Sequence, residues 1–117
     1  MIIFVYGTLK KNKGNHLLLE TSKFLKEITT SPKYILYIIS GLPVLALGKD
    51  KVKGELYEID EIVLSKLDML EGHPSLYVRK NINIPNIKNV QGYLGREILN
   101  VGVKFILSHK INNVYYY

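Results

Sequence analysis

The chain has 117 residues, 47% hydrophobic and 22% charged, which is a composition for one packed domain over residues 1–117 and excludes both a disordered chain and two domains. It contains no cysteine, so disulfides, a thiolate nucleophile and thiolate metal sites are excluded, and a reducing compartment fits. The net charge of +6 raises nucleic acid as a partner, but the lysines are scattered and arginine occurs only as Arg79 and Arg96, a pattern that argues against that partner.

The opening "MIIFVYG" has no basic leader, and its apolar run is too short for a signal or membrane segment. The expectation is a cytoplasmic protein without a membrane partner. "IIFV" lacks alternation and predicts a first strand buried on both faces. The strand runs straight into "YGTLKKN". A glycine between Tyr6 and Thr8 allows either of two things. Successive N–H groups can converge on one point as a nest for a carboxylate or oxyanion, or the chain makes a tight turn with Tyr6 in the core.

Asn15 then opens a short helix carrying Leu17 to Leu19. "KYILYIIS" and "PVLALG" predict strands separated at Gly41–Pro43, because proline cannot occupy a central ladder position. "VKGELYEI" alternates in part. "DEIVLSKLDMLEG" predicts a helix with Asp60 as N-cap, Glu61 in the first turn and Gly72 at the C-terminal left-handed position. Val63, Leu67 and Leu70, widened by Leu64, supply its apolar stripe, and Pro74 ends it.

"LYVRKNINIP", "VQGYLGREI" and "VGVKFILSH" read as further strands. The sum is an α+β protein: about six or seven short strands in a small, largely closed mixed sheet, with one firm and one short helix packed outside.

Glu71 stands in the last turn of the firm helix, where the carbonyl dipoles favour a cation. A carboxylate there has a raised proton affinity, more so if buried, and suits a general base near neutral pH. A solvated glutamate at that place is the alternative, with Asp68 one turn earlier equally able to be the exposed partner. His16, His73 and His109 lack metal-ligand spacing, so no metal site is expected. No Ser-His-Asp order, phosphate loop or dinucleotide glycine pattern occurs. Tyr115 to Tyr117 could stack on a partner or pack against the fold.

Three blocks, "FVYGTLKKNKGNHLLL", "VKGELYEID" and "LDMLEGHPSLYVRKNI", together resemble the gamma-glutamylcyclotransferase superfamily (AIG2-like). Lys10 and the Asn15-His16 pair give the first block a likeness to the gamma-glutamylamine cyclotransferase branch. The resemblance implies a small mixed β-barrel and a small-molecule gamma-glutamyl substrate, with no metal or organic cofactor. The implied reaction cyclises the gamma-glutamyl group and releases 5-oxoproline and a free amine or amino acid. It places the catalytic glutamate on Glu71 and the substrate-binding loop on Tyr6, Gly7, Thr8 and Leu9. The alternative is a non-catalytic binding or interaction module on the same barrel.

Overall fold

Strand β1 (Ile2–Val5) is the spine around which the rest is arranged. It pairs antiparallel with β5 (Lys51–Glu58) on one side and parallel with β7 (Val90–Gly95) on the other. Its side chains enter two different cores. Phe4 packs with Tyr34, Leu36, Leu45 and Leu56, whereas Ile3 and Val5 pack with Tyr57, Val63 and Leu67. A strand buried on both faces has no polar side to present, hence the unbroken apolar run.

The computed structural model describes residues 1–39, 41–96, 106–107, 109–111 and 114–117. Over them the architecture is α+β, in two sheets. Besides β1, β5 and β7, the larger sheet holds β2 (Lys23–Thr29), β6 (Tyr77–Asn81), β9 (His109–Ile111) and β10 (Val114–Tyr116), in the order β6-β7-β1-β5-β10-β9 with β2 also on β5. The smaller sheet has the order β4-β3-β8, from β3 (Tyr34–Ile39), β4 (Leu42–Leu47) and β8 (Ile106–Leu107). It covers the Phe4 face, and helix α1 (Glu61–Glu71) covers the Ile3–Val5 face.

The α+β class with a mixed sheet stands, but the largely closed barrel does not: among the described residues the strands form two sheets, of seven and three strands. Pro43 lies inside β4, which among the described residues pairs with β3 alone. Lacking an N–H, proline suits an edge strand and does not extend the ladder further.

Two other expectations change. The short helix is a single 3-10 turn, His16–Leu19, and the Asn15 side chain makes no capping bond to it. Strand β2 has no counterpart in the sequence reading. Its register with β5 shifts between Phe24 and Lys26, so a bulge breaks the two-residue period that would have marked it. The "VGVKFILSH" strand lies outside the described residues over 101–105 and at 108; β8 and the start of β9 occupy its end. The tyrosine tail packs: Tyr115 is buried, in β10, parallel to the start of β5.

Helix α1 follows its sequence closely. The Asp60 side chain accepts a hydrogen bond from the Val63 N–H at 2.9 Å, and Gly72 takes the left-handed conformation at φ 63°. Leu70 departs from the expected stripe. Val63 and Leu67 are buried, but Leu70 stays largely exposed. No helix among the described residues is long and apolar enough to cross a membrane.

Candidate active site

The segment after β1 is fastened residue by residue. The Tyr6 hydroxyl donates to the Tyr93 carbonyl at 2.8 Å and accepts from the Leu45 N–H at 3.3 Å. Tyr6 is therefore a core residue whose polar tip is spent, and burial first, then the charges of Tyr77 and Glu71, raise its pKa well above the usual phenol value.

The next three carbonyls are occupied as well. Gly7 accepts from the Lys10 N–H at 3.1 Å and Thr8 from the Asn15 N–H at 2.9 Å. The Leu9 carbonyl bonds the His16 ring at 2.9 Å. The Asn15 amide adds a bond to the Thr8 hydroxyl at 2.9 Å. One turn on, the buried Glu55 carboxylate accepts from both the Lys11 N–H and the Tyr57 hydroxyl, each at 3.0 Å.

By contrast, no acceptor meets the N–H groups of Gly7, Thr8 or Leu9 among the described residues. With their carbonyls engaged and their amides left over, these residues offer backbone donors suited to an anion.

Gly7 is not in the left-handed region. What requires glycine is space: a Cβ there would run into the Pro43 ring.

A cavity of about 180 Å³ separates this loop from the end of α1. Its walls include Val5 to Leu9, Asn15, Leu42, Pro43, Leu70, Glu71, Leu76, Tyr77 and Tyr93. Glu71 is the one carboxylate on them, and it makes no hydrogen bond or ion pair among the described residues. Burial pushes its pKa up to about 7.

Asp68, the alternative left open by the helix pattern, is held through one oxygen. One of its oxygens accepts from the Tyr93 hydroxyl at 2.7 Å and from Arg79 Nε at 3.1 Å. Arg79 in turn holds Gln91 at 2.8 Å. Asp68 thus ties α1 to β6 and β7, and Glu71 is left in the cavity. His73 accepts the Arg79 N–H at 3.0 Å, a turn role.

Sequence reasoning missed Tyr77, Tyr93 and the use of Asn15. The Tyr77 hydroxyl donates to the Pro43 carbonyl at 2.9 Å, and its pKa is raised to about 12 by burial and by the neighbouring Glu71. Burial and the bond to Asp68 lift Tyr93 further. Both rings reach the cavity through the β6–β7 pairing, in which Tyr93 stands opposite Arg79. Only the alternation of "LYVRKNI", with Tyr77 and Arg79 on one face, hinted at this wall.

Chemically, the arrangement can hold an anion on backbone donors and exchange a proton near neutral pH beside it. Asn15→Ala tests the loop's support. It removes the side-chain clamp on Thr8 and spares the backbone bond. Affinity for a carboxylate ligand, read by titration calorimetry, should fall about tenfold, with about 1 kcal/mol lost in stability.

Residues 3–99 match the family model described as gamma-glutamyl cyclotransferase, AIG2-like. A Vibrio cholerae protein provisionally named a gamma-glutamylcyclotransferase is 42% identical over 84 residues, covering 72% of this chain and 73% of its own. The gamma-glutamylcyclotransferase family protein YtfP of Escherichia coli is 34% identical over 85 residues, 73% of this chain and 74% of that one. The solution structure of ytfP from Escherichia coli superposes with a TM-score of 0.70 at 31% identity, covering 92% of this chain and 93% of that one. An AIG2-like protein from Mus musculus superposes with a TM-score of 0.71 at 27% identity, covering 99% and 94%.

Proposed function

The chain belongs to the gamma-glutamyl cyclotransferase, AIG2-like family, and from that membership we propose that it cyclises the gamma-glutamyl group of a gamma-glutamyl amine or amino acid, releasing 5-oxoproline and the free amine or amino acid. The observation that carries the reading is the Glu71 carboxylate, without a partner among the described residues and with its pKa raised to about 7 by burial, in one cavity with Gly7, Thr8 and Leu9, whose amides find no acceptor among those residues.

The glutamyl α-carboxylate docks on those amides, which curls the chain so that its α-nitrogen faces its own γ-carbonyl carbon. Glu71 takes a proton from the α-ammonium, and the freed nitrogen attacks that carbon to form the lactam C–N bond. Glu71 returns that proton to the departing nitrogen as its bond to the carbon breaks, and the attacking nitrogen gives up its second proton, which leaves with the amine as an ammonium, so the lactam keeps one N–H. Atoms and protons balance with no water consumed. A raised pKa serves both halves, since the same group must accept and then give. Ring closure is intramolecular, so orientation supplies much of the acceleration and one acid–base side chain suffices.

The test is 5-oxoproline release from a gamma-glutamyl alkylamide across pH 5 to 9. The base form of Glu71 is needed in the free enzyme, so kcat/KM should rise with pH and level off above an apparent pKa of about 7. Binding of 5-oxoproline with no turnover of any gamma-glutamyl amide would overturn the enzymatic reading and leave a binding module.

A further inference from the structure

The cavity is sharply divided by burial. Around the donor loop, Val5, Tyr6, Leu9 and Tyr93 are 2%, 7%, 4% and 2% exposed. At the other end Leu42, Leu70 and Leu76 line the same cavity but are 53%, 42% and 53% exposed. They come from three separate elements: the start of β4, the last turn of α1 and the residue before β6. Leu70 leaves the helix's buried stripe to stand there. Leu76 folds back over Gly72, whose carbonyl accepts the Leu76 N–H at 2.9 Å.

Three leucines from three elements, converging half-exposed on one opening beside Glu71, are more than scattered surface apolar residues. Among the described lining residues there is no lysine or arginine, and Glu71 is the one carboxylate; Arg96, bonded through its N–H to the Leu76 carbonyl, spends its guanidinium on the Pro74 carbonyl at 2.8 Å.

We infer that Leu42, Leu70 and Leu76 form the subsite for the departing amine, and that this subsite selects an uncharged, apolar amine over an amino acid. The inference rests on the cyclotransferase reading above. With the α-carboxylate on the Gly7–Leu9 amides and the γ-carbonyl beside Glu71, the substituent on the amide nitrogen has only the leucine-lined end to occupy. An alkyl or aryl group there covers apolar surface that water otherwise wets. A glycine or peptide leaving group would bring its carboxylate to the same place unpaired and beside a like charge.

The experiment uses the full chain and a set of probes: gamma-glutamyl ethylamide, butylamide and hexylamide, together with gamma-glutamylglycine and Nε-(gamma-glutamyl)lysine. The readout is kcat/KM for 5-oxoproline release. From ethyl to hexyl the value should climb about tenfold, and gamma-glutamylglycine should fall at least about tenfold below the ethylamide. In Leu42→Ser and Leu76→Ser the hexyl-to-ethyl ratio should drop toward one, with thermal melts recorded to establish that each variant is folded.

An equal rate for ethyl and hexyl, or a preference for glycine or lysine, with turnover that still requires Glu71, overturns the subsite and leaves the cyclotransferase reading standing. A ratio unchanged in both serine variants overturns the assignment of these leucines. No 5-oxoproline from any probe overturns both readings together.

Discussion

Glu71→Gln should lower 5-oxoproline release by about 10²- to 10⁴-fold, the range expected when a positioned acid–base group is removed. The change keeps the shape of the side chain and deletes only its capacity to exchange a proton. Because Glu71 makes no hydrogen bond or ion pair among the described residues, no structural partner is orphaned. Stability should move the opposite way from activity.

In the folded chain the Glu71 pKa is raised from 4.5 to about 7. The native state therefore holds this proton more tightly than the unfolded state does. Its contribution to stability is complete below pH 4.5 and is lost as pH rises through about 7. Above that window the wild type carries a desolvated charge that the glutamine variant lacks. Chemical denaturation at pH 8 should find the variant more stable by roughly 1–3 kcal/mol, and the advantage should vanish near pH 4.5. A variant that retains full turnover removes the proposed mechanism. One that is inactive but less stable at pH 8 points to a structural glutamate instead.

Gly7→Ala should cost on the order of 10²-fold in kcat/KM, the penalty for displacing binding groups by about an ångström. The added methyl meets the Pro43 ring, and neither side can yield easily. Gly7 is held through its carbonyl to Lys10, and the Pro43 carbonyl accepts the Tyr77 hydroxyl. Either the donor loop shifts or the β4 wall does, and both line the cavity. Overpacking of this kind costs roughly 1–3 kcal/mol in stability. The double variant Gly7→Ala, Pro43→Ala removes the obstructing ring and should recover part of both losses, a non-additivity expected of touching residues. Wild-type turnover in Gly7→Ala alone would mean that the loop is only a turn.

What could be read in the sequence was whatever local chemistry decides. The caps of α1 are local: Asp60 bonds three residues on, and Gly72 satisfies carbonyls one turn back. The unalternated "IIFV" announced burial on both faces. The donor loop and Glu71 were legible as candidates from a glycine beside a strand end and an acid at a helix C-terminus. The resemblance chose between the open alternatives.

What escaped was long-range. Strand β2 was hidden by its bulge. The division into two sheets depends on which neighbour β4 finds, and its proline signals an edge without naming the partner. Asp68 and Glu71 differ in the folded protein because Arg79 and Tyr93 reach one and not the other. That distinction is set by pairing between β6 and β7 and leaves no mark in the helix itself.

The Tyr6 hydroxyl, bonded at once to the Tyr93 carbonyl in the larger sheet and the Leu45 amide in the smaller, rivets the two layers together immediately before the donor loop begins. A loop anchored at such a seam cannot swing aside as a lid. On the proposed reading the substrate threads in past the leucines toward a receptor already set, so little ordering entropy is left to lose on capture. The same anchoring makes catalytic competence hostage to the seam. A substitution that loosens the contact between the layers, however far from the reacting carbon, will be felt first as a blurred grip on the substrate's carboxylate.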